Sequence, residues 1–350
     1  MRILQVMAGA ERGGAETAFV DMCLALHEAG EVIEVVTRAN DVRVPVLMAA
    51  GIKVHTLRFG GLADVFTRWK MAKIIRQFRP DIVQTWMARA AWKTPAWSDS
   101  MGIPRYAVVA RLGGYYSIKY FKSADHFTVI TPDIGRYLEQ EGIPAEKISH
   151  INNFAEVEKA VSPLKRSDFT TPEDAVLLGA LGRLHTSKAF DVLIRAVAGL
   201  PGVYLWIAGE GPERGNLEKL IAELGVGGRV MLLGWRTDRA DFLSAADICV
   251  FPSRYEPFGT VFVQAWAQKI PLIAANSDGP RQYVHDGEDG LIVPVDDVAA
   301  LAAAIQRLAG DADLQARLTG RGYQRYLAEF TKENTVRAYL GLYHRLIIYP

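Results

Sequence analysis

Short unbroken apolar runs alternate along the chain with longer stretches in which apolar positions recur every three or four residues. The runs suit strands buried on both faces of a parallel sheet, and the stretches between them suit helices that cover it. In the first half, strands are expected at residues 3–7, 32–37, 53–56, 82–85, 106–110, 126–130 and 148–151. Helices are expected to begin near residues 15, 44, 67, 88 and 132, with a short turn near 145. A polar stretch poor in apolar anchors, EVEKAVSPLKRSDFTTPED (156–174), reads as a linker. The alternation then restarts with AVLLGALGRL as strand, KAFDVLIRAVAGL as helix, VYLWIAGEGP as strand and turn, and ERGNLEKLIAELG as helix. RVMLLGW, DRADFLSAA, DICVFPS, GTVFVQAWAQ and PLIAA continue it. A last helix over 332–348 follows a break near Phe330 and is expected to fold back over the cleft.

This order predicts an α/β protein of two tandem Rossmann-like doubly wound domains facing across a cleft. A chain of 350 residues is too long for one ordinary core. The expected boundaries are 1–160, joined by 332–350, for an N-terminal domain, and 161–331 for a C-terminal domain. Ligands of such sheets lie beyond the carboxyl ends of the strands, so the cleft is the expected site.

Half the residues are hydrophobic, 23% are charged and the net charge is +1, which argues against a nucleic-acid coat. Cys23 and Cys249 sit in apolar surroundings, as reduced buried thiols would. No apolar run approaches the roughly 20 residues that span a bilayer. MRILQVMAG reads as a first strand, not a secretory signal. The expected location is cytoplasmic, with peripheral contact at the inner face of the plasma membrane as an open alternative.

Three loops carry candidate chemistry. Gly13 and Gly14 stand between the first strand and its helix, where a ligand contact and a plain tight turn are equally good readings. The dinucleotide fingerprint G-x-G-x-x-G is absent, which disfavours a dehydrogenase. In GRLHTSKAF, Arg183 and Lys188 form a cation pair suited to a diphosphate, against the alternative of a solvated basic loop. In SRYEPFGTVFVQAWA, the turn Glu256-Pro257-Phe258-Gly259 frees the amides of Gly259, Thr260 and Val261 for an anion at a helix start. A carboxylate there is suited to sugar hydroxyls; the alternative is an acid favoured only by the helix dipole.

Taken in order, GGAE, DIVQTW, TPDIGRYL, HINNF, GRLHTSKAF, AGEGPE, LGW and PSRYEPFGTVFVQAWAQKIPLIAANSDGPRQYVHDGEDGLIVP resemble a retaining glycosyltransferase of family 4 (GT4), with the GT-B fold. The resemblance covers most of the chain and is strongest in the second half. It implies that the N-terminal domain is the acceptor side and the C-terminal domain the donor-binding side, that Glu256 contacts the transferred sugar, that Arg183 and Lys188 hold the diphosphate, and that Gly13 and Gly14 approach it. It implies a nucleotide-sugar co-substrate, a UDP-sugar before others, with no metal. The leaving diphosphate would deprotonate the acceptor on the same face, so no protein nucleophile is needed.

Two positions depart from the family pattern. Gln264 stands where a second Glu would bind the ribose; an amide still accepts a hydroxyl, through a weaker bond. Gly113 stands near the place of a sugar-contacting histidine. Arg111, Tyr115 and Tyr116 are then expected to shape the acceptor side, and Arg236, beside Trp235, to face the donor. Structural roles are expected for His126 and His185. Asp311 to Asp313 is expected to start a helix, not to bind metal.

On the helix expected over 66–79, at about 100° per residue, Met71, Ile74, Ile75 and Phe78 share one side. Arg68, Lys70, Lys73, Arg76 and Arg79 share the other, with Phe66 and Trp69 among them. That face suits an anionic membrane surface; the alternative is a solvated face whose two aromatics tuck under a loop. The expected function is transfer of a hexose to a cell-envelope glycan or glycolipid of lipopolysaccharide or capsule type. The alternatives are a nucleotide-sugar epimerase of the same fold and a catalytically weak sugar-nucleotide-binding partner subunit.

Overall fold

The computed structural model describes residues 1–11, 13–61, 64–154, 160 and 162–348. The chain divides into two compact units, residues 1–154 with 331–350, and residues 155–330. Of the expected linker, residues 156–159 and 161 lie outside the described residues, and Arg166–Phe169 form a 3-10 turn.

Among the described residues the first unit holds seven strands: β1 (Arg2–Met7), β2 (Val32–Thr37), β3 (Lys53–Thr56), β4 (Ile82–Trp86), β5 (Ala107–Leu112), β6 (His126–Val129) and β7 (Ile148–His150). They run parallel in the order β3-β2-β1-β4-β5-β6-β7. Its helices are α1 (Gly14–Glu28), α2 (Arg43–Ala49), α3 (Val65–Phe78), α4 (Met87–Lys93) and α5 (Pro132–Gln140). The starts obey local chemistry. Asp64 caps α3 by accepting the Thr67 amide at 3.0 Å, and Thr131 precedes α5 with Pro132 in its first turn.

Alternation along each strand sends side chains to both faces. Ile3, Met7, Val35 and Trp86 meet Phe19, Cys23 and Leu26 of α1 in one core. Leu4, Val6, Val36 and Val83 meet Met71, Ile75 and Phe78 of α3 in the other. The inner strands β1, β4, β5 and β6 are buried on both faces, whereas the edge strands β3 and β7 are only partly covered.

In the second unit the described strands are β8 (Val176–Leu181), β9 (Val203–Ala208), β10 (Val230–Leu232), β11 (Ile248–Phe251), β12 (Leu272–Ala275) and β13 (Leu291–Val293). They are parallel, in the order β10-β9-β8-β11-β12-β13. Around them lie α6 (Phe190–Ala198), α7 (Arg214–Glu223), α8 (Arg239–Ser244), α9 (Thr260–Ala267), α10 (Pro280–Tyr283), α11 (Val298–Ala309) and α12 (Ala312–Arg325). Asp311 starts α12 by accepting the Leu314 amide at 2.8 Å, as the capping reading expected. After a π-helical turn at Tyr326–Phe330, α13 (Lys332–Ile348) packs Val336, Tyr339, Leu342 and Tyr343 into the core beside α1 in the first unit. No described helix is long and apolar enough to cross a membrane.

Both sheets have a topological switch. The chain leaves β1 through β2 and β3, then crosses back to β4; it leaves β8 through β9 and β10, then crosses back to β11. The loops after adjacent strands diverge there, opening a crevice at the strand ends.

Candidate functional site

In the second unit the crevice lies between β8 and β11, and the loops after these strands carry the residues singled out above. Lys188 closes the 3-10 turn after β8, and its ammonium pairs with the Glu256 carboxylate in the turn after β11. Both side chains are mostly shielded from solvent, and the Lys188 ammonium also lies 5.9 Å from the Phe251 ring centroid. Arg183 is exposed two residues past β8 and pairs with no carboxylate among the described residues.

The Glu256 turn is held from two sides. Phe258 inserts into an aromatic cluster, 5.3 Å from Phe262, 5.2 Å from Tyr283 and 6.2 Å from Phe330 between ring centroids. Gly279 donates its amide to the Glu256 carbonyl at 2.7 Å, and a side chain at 279 would run into the Phe258 carbonyl. Gly259 takes a φ of +90°, where a Cβ would lie 2.6 Å from the Phe251 ring. The chain thereby turns sharply into α9. The amides of Thr260 and Val261 fall in a first turn, which has no intrahelical acceptors.

Arg254 binds the two loops together. Its backbone amide donates to the Ser187 carbonyl at 2.8 Å and its Nη1 to the Thr186 carbonyl at 2.6 Å. Its guanidinium also makes a bidentate pair with Asp191 at 2.9 and 2.8 Å, and Nε reaches Asp296 at 2.6 Å. Hydrogen bonding to Asp191 raises the guanidinium above its ordinary pKa. So Lys188 and Glu256 sit on backbones tied to one another by a residue between them. Arg254, Asp191, Asp296 and Gly279 were not singled out from sequence. Arg254 lies inside the conspicuous motif, but its partners 63 and 42 positions away leave no local signal.

Gln264 lies in the second turn of α9, only 7% exposed, and its carboxamide bonds to no other side chain among the described residues. The hydroxyls of Ser253 and Ser277, just past β11 and β12, are buried without a hydrogen-bond partner among the described residues. Trp235, after β10, is largely exposed. The Arg236 guanidinium is engaged bidentately by Asp238, with Nε–Oδ1 at 2.9 Å. The pair holds Asp238 below the usual carboxylate range. A cavity of about 300 Å³ is lined by His185, Asp191, Arg195, Glu213 and Arg254, but by neither Lys188 nor Glu256.

In the first unit Gly14 opens α1, with Gly13 before it. The Glu16 carboxylate folds back over this loop and accepts the Ala10 amide at 2.6 Å. Arg111 is buried, stacked 3.9 Å from the Trp86 ring centroid and bonded to Asn153, which sets it beneath the surface of the first unit. Burial lowers its pKa. Tyr115 is exposed, its ring edge-on to Tyr137 at 5.5 Å, and Tyr116 is half-buried against Phe121. His126 is buried against Ser149 at 2.9 Å, and burial pushes its pKa down to about 4. His185 accepts the Ser187 amide through Nδ1 at 3.2 Å, ordering its own loop. Both thiols are buried and free, and burial raises Cys249 to about 12.

On α3 the expected inner side is buried, whereas Phe66 and Trp69 are 71% and 63% exposed, with Arg68, Lys70, Lys73 and Arg76 exposed around them. The two aromatics do not tuck under a loop.

Residues 161–325 match the family model of glycosyl transferases group 1, and residues 12–159 that of Glycosyltransferase Family 4. A lipopolysaccharide core biosynthesis glycosyltransferase of Rhizobium meliloti, LpsE, is 36% identical over 94% of this chain and 95% of its own. Among solved structures, a glycosyltransferase from Rickettsia africae superposes with a TM-score of 0.87 over 100% of this chain and 99% of its own, at 18% identity. HepE of Anabaena, in complex with UDP, does so with a TM-score of 0.82 over 98% and 99%, at 20% identity. The chain belongs to the family 4 glycosyltransferases and has the GT-B fold.

Proposed function

We propose that this family 4 enzyme transfers a hexose from a nucleotide diphosphate sugar to a lipopolysaccharide-type acceptor glycan, with retention of anomeric configuration. The meeting of Lys188 and Glu256 at the β8/β11 crevice carries the reading. When the donor binds, its diphosphate takes over the Lys188 ammonium, aided by Arg183 and the first-turn amides of α9 (Gly259, Thr260, Val261). Glu256 is then released to accept hydrogen bonds from sugar hydroxyls. Gln264 receives a ribose hydroxyl through its amide oxygen, and Gly13 and Gly14 keep the diphosphate role that the family resemblance implies.

In the transfer, the bond between the anomeric carbon and the phosphate oxygen breaks as the acceptor oxygen bonds to the same face. The acceptor proton passes to the leaving phosphate. The protein's part is positioning and neutralising the charge that grows on that phosphate. No side chain forms a covalent intermediate and no metal takes part in this reading.

UDP is the favoured carrier, because HepE, of the same fold, was solved with UDP and with UDP-glucose. The acceptor class follows from LpsE, whose name places it in lipopolysaccharide core biosynthesis. Tyr115 and Tyr116 are assigned to the acceptor side. The outer face of α3 lays Phe66 and Trp69 into the cytoplasmic face of an anionic membrane, with Arg68, Lys70, Lys73 and Arg76 on its headgroups.

Thermal shifts with UDP, GDP and ADP test the donor reading. A shift selective for UDP is expected. Substituting Gln264→Glu should enlarge that shift while lowering the ligand-free midpoint, because it buries a carboxylate. No shift with any nucleotide at millimolar concentration would remove the reading.

A further inference from the structure

The first unit gathers cations at the other switch point. Arg38 follows β2 and Arg89 lies in α4 after β4, so the two flank the end of β1. Both reach one oxygen: Arg38 Nη2 donates to the Phe59 carbonyl at 2.8 Å and Arg89 Nη1 to the same carbonyl at 3.5 Å. Arg38 Nε donates to the Arg58 carbonyl at 3.1 Å. Behind them, buried Arg43 donates to Thr37 Oγ1 at 2.9 Å and to the Ala10 carbonyl at 2.6 Å. Buried Lys93 donates to the carbonyls of Gly61 and Asp64 at 2.9 and 2.7 Å.

Every one of these acceptors is a neutral oxygen. Among the described residues none of the four cations has a carboxylate at ion-pair distance; Arg43 feels Glu16, and Lys93 feels Asp64, only from further off. Arg254 and Arg236 in the second unit, by contrast, are paired with carboxylates. Arg38 and Arg89 repel one another, and burial together with Arg89 lowers the Arg38 pKa. Each guanidinium has five N–H groups, and among the described residues two of Arg38 and one of Arg89 are engaged. The shared carbonyl belongs to Phe59, a non-glycine residue with a φ of +49°, and Met87 at the start of α4 has a φ of +63°. Backbone held in this costly region at both attachment points fixes the geometry of the pair.

We propose that Arg38 and Arg89 form an anion subsite, in the β1/β4 crevice, for a phosphate or carboxylate substituent of the acceptor. The assignment rests on the first unit being the acceptor side. Two guanidiniums that converge without an acid between them match the planar oxygen pairs of such groups. The subsite selects acceptors already phosphorylated or bearing an acidic sugar.

The test is binding of glucose 6-phosphate, glucuronic acid, glucose and inorganic phosphate to the full chain, with UDP titrated separately. The charged sugars are expected to bind at least tenfold more tightly than glucose, and the preference to fall with added salt. Arg38→Ala and Arg89→Ala should each cut the preference about tenfold and leave UDP binding unchanged; the ratio between the two acids identifies the substituent. Equal binding of charged and neutral sugars would overturn the subsite, as would a preference that survives both substitutions. Arg89 is exposed on a helix, so its variant carries the test should Arg38→Ala not fold. A wild type that discriminates the sugars but ignores UDP would instead strike the donor reading.

Discussion

Lys188 and Glu256 pair across the β8/β11 crevice from loops 68 residues apart in sequence. Each is the other's counter-charge, and each is assigned to a different part of one ligand. In the proposed reading a diphosphate would compete with Glu256 for the ammonium and a sugar with Lys188 for the carboxylate. A nucleotide sugar, in that reading, offers both, whereas a free nucleotide offers only the first.

Arg254 makes a prediction about positioning. Lysine at 254 keeps a charge but loses the fork that holds Asp191, Asp296 and Thr186 together. We expect Arg254→Lys to raise the KM for the nucleotide sugar roughly tenfold with a smaller change in kcat, and Arg254→Ala to raise it further. Initial rates over a donor series check this. A fall in thermal stability with unchanged KM would reduce Arg254 to a structural tie.

The depressed pKa of His126 sets a pH dependence. Its folded value is about 4, against about 6.5 in an unfolded chain, so the unfolded state binds the extra proton between the two. The contribution is fully present above pH ~6.5 and is lost as pH falls toward 4, amounting to about 3 kcal/mol. Urea midpoints of wild type and His126→Gln from pH 7 to 4.5 should show a slope that the variant loses. Parallel curves would contradict it.

The outer face of α3 predicts membrane association in two steps. Wild type should float with vesicles rich in anionic phospholipid and not with neutral ones. Phe66→Ala with Trp69→Ala should cut the bound fraction several-fold, the loss expected for two shallowly inserted aromatics. Equal flotation on neutral vesicles would contradict the electrostatic part, and an unaffected double variant the insertion part.

Much of this was legible in the sequence because parallel strands are short apolar runs whatever their neighbours. The runs at 32–37 and 82–85 match β2 and β4, and the last helix matches α13. β13 was not: three apolar residues between Gly290 and Pro294 leave too little pattern to separate a strand from a loop. The candidate donor loops were legible as motifs, but the ties that shape them were not. Arg254 and Arg111 are both cations at strand ends in the sequence. Only packing shows that one clamps the site and the other is sealed beneath Trp86. The pair of Arg38 and Arg89 was invisible for the same reason, since its convergence on the Phe59 carbonyl, with no carboxylate at ion-pair distance among the described residues, is a property of three dimensions.

The most direct test of the donor site is calorimetric titration of UDP and of UDP-glucose into wild type, Lys188→Ala and Glu256→Ala. The account predicts that Lys188→Ala weakens both ligands at least tenfold. It predicts that Glu256→Ala keeps or improves UDP binding, by freeing the ammonium, while losing the added affinity and the turnover that the sugar brings. If Glu256→Ala bound and turned over UDP-glucose like wild type, or Lys188→Ala bound UDP undiminished, the pair would not be the donor site.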